Sequence, residues 1–131
     1  MALNKTGYFR YTKPIYGDIP ECDPRHREYR AFKHANGFSP DECRDLATVL
    51  AEFLLPRLEY FRAHLDSYPP DLKSVDEWGR VLDEIIWGMR ERLEERDLPD
   101  VVKDQAAYLA YMDRFNAADA LFGKYWQHLW S

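Results

Sequence analysis

Apolar residues recur at helical spacing in three segments of the chain. Within 74–96, Trp78, Leu82, Ile85, Ile86, Met89 and Leu93 fall on one stripe with charged residues between them. Within 39–66 the stripe is Cys43, Leu46, Leu50, Phe53, Leu54, Phe61 and Leu65. Within 100–129 it is Val101, Tyr108, Tyr111, Met112, Phe115, Phe122, Trp126 and Leu129. Each segment opens on a start signal: Ser39-Pro40-Asp41-Glu42, Ser74-Val75-Asp76-Glu77, and the DLPD turn at 97–100. Pro56 sits inside the first of the three and predicts a kink, because its ring removes a donor and crowds the preceding turn. YPPD at 68–71 is a breaker.

A shorter helix is predicted over 23–37, with Asp23 as N-cap, Pro24 at the first helical position and Gly37 as the stop. Upstream, TGYFRYTKPIYGDIP mixes aromatics with Gly and Pro, so residues 1–22 read as an extended arm or short hairpin. One stripe per helix and short connections predict an all-α fold: an antiparallel bundle of three long helices, crossed by the short basic helix. A chain of 131 residues is expected to make a single domain, 1–131.

Composition supports a globular chain, with 46% apolar and 31% charged residues. The net charge of −5 argues against a general nucleic-acid coat or an anionic membrane as partner. The charge is unevenly spread. Residues 1–37 hold seven Lys/Arg against four Asp/Glu, and residues 38–131 hold eleven against nineteen. An anion would therefore bind most readily near the N-terminus. No apolar run reaches membrane length, MALNKTGYFRYTKP lacks a signal-peptide core, and two cysteines make no disulfide framework. A reduced cytoplasmic setting is expected.

The informative positions are those that break the stripes. Trp87 lies roughly 140° from its stripe centre, among Arg80, Asp83, Arg90, Glu91 and Glu94. Leu121 and Tyr125 lie off theirs, so AADALFGKYWQHLWS is apolar nearly all round. Such a helix is central in its bundle or part of an interface, and homo-oligomer formation or stacking on a ligand would explain the aromatics. Arg57 and Asp119 fall on apolar stripes instead. A buried ion pair between them, joined by Asp83, is the expected solution; an anion-binding Arg57 and outward snorkelling are the alternatives.

Asp83 and Glu84 do not form a catalytic pair, since adjacent helical residues diverge by about 100°. Cys22, His26, His34 and Cys43 match no compact zinc-finger spacing, and Cys43 sits on a stripe as an inert buried thiol would. No nucleophile–base–acid arrangement and no glycine-rich phosphate loop occurs, so neither an enzyme nor a cofactor or metal is expected. The basic helix carries Arg25, His26, Arg27, Arg30, Lys33 and His34, either as a solvated face or as an anion site with bidentate guanidinium donors. The candidate ligand-binding set is Arg25, Arg27, Arg30, Lys33, Trp87, Arg90, Tyr125 and Trp126.

Three ordered segments, LLPRL at 54–58, EWGRVLDEIIW at 77–87 and LFGKYWQHLW at 121–130, resemble the signatures of a family of small tailed-bacteriophage proteins. The likeness spans roughly residues 46–131 and leaves out the arm and the basic helix. Asp119 departs from it, standing where the family has an apolar residue. The resemblance implies a phage origin and a host-cytoplasm setting rather than an activity. The functional expectation is a non-enzymatic accessory protein that antagonises host defence by binding, sequestering an anionic nucleotide signal at an oligomer interface. A protein–protein inhibitor of a host enzyme and a virion or assembly component are the alternatives.

Overall fold

In the computed structural model the described residues are 2–3, 9–10 and 24–130. Among the described residues the fold is all-helical apart from a two-residue antiparallel ladder pairing Ala2–Leu3 with Phe9–Arg10. The rest of the N-terminal arm, including the expected cap Asp23, lies outside the described residues. The helices are α1 (Pro24–Asn36), α2 (Leu46–Ala63), α3 (Val75–Glu94) and α4 (Gln105–Tyr125), with 3₁₀ turns at Pro40–Arg44 and Trp126–His128. Two compact units divide the chain at residues 53 and 54, inside α2.

In the first unit, α1 stops where Gly37 adopts a φ of 85° and returns its N–H to the Lys33 carbonyl at 2.8 Å. The Ser39–Glu42 signal opens the 3₁₀ turn rather than a long helix. Glu42 is buried, and its carboxylate accepts from the Ser39 amide at 2.9 Å and pairs with Lys33. The expected start of the second helix at residue 39 is thus corrected to Leu46. Asp45 leaves helical geometry, with a φ of −144°, and caps α2 by accepting from Thr48 N–H at 3.1 Å and its hydroxyl at 2.6 Å. This also corrects the reading of Cys43, which is exposed on the 3₁₀ turn.

In the second unit, α2 continues past Pro56 and ends at Ala63. Ser74 caps α3 by accepting from the Glu77 amide at 3.1 Å. The α3 stripe is buried as read: Trp78, Leu82, Ile85, Ile86 and Met89 are core residues. Each of these large side chains contributes about 1.5–3 kcal/mol of burial. α3 ends on Glu95, a non-glycine residue with a φ of 48°, whose amide donates to the Glu91 carbonyl. The Glu91 side chain is buried too, and its carboxylate accepts from the Asp97 amide at 2.6 Å. α4 starts at Gln105, later than the expected residue 100, because Asp104 rather than the DLPD turn supplies the cap.

α3 and α4 run in opposite directions against each other. Trp78 near the start of α3 meets Tyr125 at the end of α4, with ring centroids 5.4 Å apart. Arg92 near the end of α3 lies 4.9 Å over Phe115. Between them Gly88 faces Ala118 so closely that a Cβ on Gly88 would stand 2.7 Å from the Ala118 methyl. The α4 stripe is rotated from the predicted one. Tyr111, Ala118 and Tyr125, spaced seven apart, are its buried residues, while Trp126 is 60% exposed. The expectation that Trp126 lies on the core stripe and Tyr125 off it is reversed, because the face of α4 is set by Ala118 against Gly88, and the 3₁₀ turn that follows carries Trp126 outward.

Candidate functional site

The unexplained Trp87 occupies a built environment on the flank of the α3–α4 pair. It is half-buried, and its indole N–H donates to Asp97 at 2.9 Å. Tyr111 meets the ring edge-on at a centroid distance of 5.6 Å. The Arg114 guanidinium lies 3.8 Å from the ring centroid and is itself clamped by Glu84 through two hydrogen bonds of 2.8 and 3.0 Å. Those bonds to Glu84 raise Arg114 above its ordinary pKa. Burial raises the Tyr111 phenol, and the carboxylates of Glu91, Glu95 and Asp97 push it the same way. Trp87 therefore serves its own fold. The ring is stacked under Arg114 and bonded to the α3–α4 linker, contacts within its own chain that account for its place on the charged face.

A second polar cluster joins the YPPD segment to the end of α4. The buried Tyr125 donates its hydroxyl to Asp71 at 2.7 Å, and Lys124 lies 3.4 Å from the same carboxylate oxygen. The bond from Tyr125 lowers Asp71 and, reciprocally, raises the Tyr125 phenol above its usual value. Lys124 is raised, first through its contact with the Tyr125 hydroxyl and then with Asp71. Tyr125 is thus an anchor beneath the surface, not a stacking platform. Sequence reasoning missed Asp71, and its only signal was the break at YPPD.

Arg25, Arg27 and Arg30 are exposed on α1, and the half-buried Lys33 pairs with Glu42. The half-buried Arg90 donates to Glu59 at 2.8 Å. Trp87 and the Tyr125–Trp126 end do not converge. Tyr125 packs on Trp78, nine residues before Trp87, which is about 13 Å along a helix. The buried Arg57–Asp119 pair is corrected: Asp119 is exposed and accepts from Arg92 at 2.8 Å, because Ala118 takes the stripe position next to it. Arg57 is half-buried. Asp83 holds Arg62 at 3.0 Å, so Asp83 and Glu84 reach opposite neighbours, as their divergence on the helix requires.

Two large aromatics remain open to solvent at the end of the chain, Trp126 and, at 70% exposure, Trp130. Tyr68, three residues before Asp71, is exposed as well. Among the described residues no group of three or more His, Cys, Asp or Glu could hold a metal ion, and no helix is long and apolar enough to cross a membrane. No family model matches the chain, and neither a curated protein nor a solved structure matches it.

Proposed function

We propose that the chain is a non-enzymatic accessory protein that acts by binding a protein partner through its aromatic C-terminal end. In this reading the helices form the three-helix antiparallel bundle that the opposed α3 and α4 support. The carrying observation is the division of labour among the four tryptophans. Trp78 is core, Trp87 is stacked under Arg114, and Trp126 and Trp130 are exposed within five residues of each other. Exposed tryptophans clustered in this way are the usual anchors of protein–protein contacts. The Tyr125–Asp71 bond gives that end a rigid base by tying it to the 68–71 segment. The resemblance of residues 46–131 to small tailed-phage proteins supplies the setting: the host cytoplasm, and a host defence enzyme as the target antagonised.

Affinity capture from host lysate with wild-type protein and with Trp126→Ala/Trp130→Ala tests the reading. A stoichiometric host protein held by the wild type and lost by the variant is expected. No stoichiometric protein with either, or equal recovery with both, would refute it. A second reading, sequestration of an anionic nucleotide, rests on the exposed Arg25, Arg27 and Arg30 of α1. Calorimetric titration with cyclic and linear nucleotides tests that form, and heat release abolished by Arg27→Ala would favour it over the protein contact. A place in the virion would be revealed by mass spectrometry of purified particles.

A further inference from the structure

We infer that the chain self-associates, with α1 of one copy docked on the α3–α4 linker of a second copy. Each surface is amphiphilic, and the two carry opposite charge. α1 has four Lys/Arg against one Glu, a net of +3, with Arg27 and Arg30 exposed and Phe32 open at 39%. Residues 94–104 have five Asp/Glu against two Lys/Arg, a net of −3. Within that stretch Val101 is 48% and Val102 90% exposed, an unusual place for two adjacent β-branched apolar residues.

Apolar side chains set among a net excess of one charge favour a partner with apolar side chains set among the other. The chain supplies both halves, so a second copy is the occupant that needs nothing outside the molecule. Glu95 adds to the match: its left-handed geometry sets it at the corner of the linker, and it is exposed. The contact joins two different surfaces. It therefore closes as a reciprocal pair or a ring, or it extends. The aromatic end carrying Trp126 and Trp130 takes no part, so the inference stands independently of the proposed partner binding.

Charge reversal with light-scattering mass measurement tests it. The two variants are Arg27→Glu/Arg30→Glu and Glu94→Lys/Glu95→Lys. Both pairs of substitutions fall on exposed positions, and bases at the end of α3 also suit the helix dipole, so both should fold. The wild type should exceed monomer mass at an ionic strength of about 0.05 M and shift toward monomer at about 0.5 M. Each variant alone should be monomeric, and an equimolar mixture of the two should regain the higher mass. Trp126→Ala/Trp130→Ala should keep it. A wild type that stays monomeric across concentration overturns the inference, as does an assembly that survives both reversals or a mixture that fails to reassociate.

Discussion

Two glycines of α3 face different obstacles, and the contrast between them tests the α3–α4 packing. A methyl group on Gly88 would come 2.7 Å from the Ala118 methyl carbon, about 1 Å inside the ordinary carbon–carbon contact distance. Ala118 is held by its own helix, so relief requires the helices to part, and the flanking Ile85 and Met89 lose contact as they do. Overpacking of this kind costs about 1–3 kcal/mol, while replacing a mid-helix glycine by alanine returns about 1 kcal/mol. Gly88→Ala should therefore destabilise by about 1 kcal/mol, lowering the midpoint by about 4 °C for a domain of this size. At Gly79 the same methyl would meet the Arg62 guanidinium, also at 2.7 Å, but that group is the far end of a flexible side chain. Moving it gives up a half-exposed pair with Asp83 worth about 0–1 kcal/mol. Gly79→Ala should be neutral or stabilising. Urea denaturation of both variants at 25 °C measures the difference, expected to be about 1–2 kcal/mol in favour of Gly79→Ala. A Gly88→Ala protein as stable as Gly79→Ala would refute the close crossing at Ala118.

Removing the cation over Trp87 by Arg114→Ala should cost about 1 kcal/mol, since the Glu84 pair is half-exposed and the ring contact supplies the rest; a red-shifted tryptophan emission would report the uncovered ring. The Asp71–Tyr125 bond should act between about pH 4 and pH 10. Asp71 titrates below its usual 3.8 when folded, so its contribution is full above that pH and lost as pH falls through the folded value. Tyr125 titrates above 10.0, so its contribution is full below that and lost as pH rises through its folded value. The stability difference between wild type and Tyr125→Phe should be flat inside this window and shrink outside it; a difference unchanged at pH 2 would show that Asp71 is not the partner. Asp119→Ala removes a surface pair and should cost under about 1 kcal/mol by thermal melting. A loss of about 3 kcal/mol or more would mean a buried pair after all.

The helical class and the α3 face were legible because α3 repeats large apolar residues without interruption, so only one rotation buries Trp78, Leu82, Ile85 and Met89 together. α4 has no such unique rotation. With apolar side chains on most sides, its face is decided by Ala118, which is small enough to let Gly88 approach and carries little signal by itself. That choice places Tyr125 inside and Asp119 outside, reversing two expectations at once. Cys43 was misread because helical periodicity was extended across Asp45, where the local side-chain bond to Thr48 starts a new helix. Trp87 illustrates a different limit. Its place on the charged face was readable, but the cation that covers it stands 27 residues away on α4, and no local spacing rule connects the two. The exposed arginines of α1 were legible as a basic face, although a basic face does not name its anion.

The buried carboxylate of Glu91 has a consequence for motion. It is compensated by the amide of Asp97, and Asp97 in turn accepts the indole N–H of Trp87. Loosening the turn would leave the carboxylate desolvated without that donor, so the final turn of α3 should not fray as helix ends usually do. In hydrogen exchange, the amides of Glu95 and Asp97 should behave like those of the helix core. The linker beyond them is held by exposed local bonds, chiefly those that the amides of Val102, Lys103 and Asp104 donate to Asp100, and should exchange faster than Glu95 and Asp97.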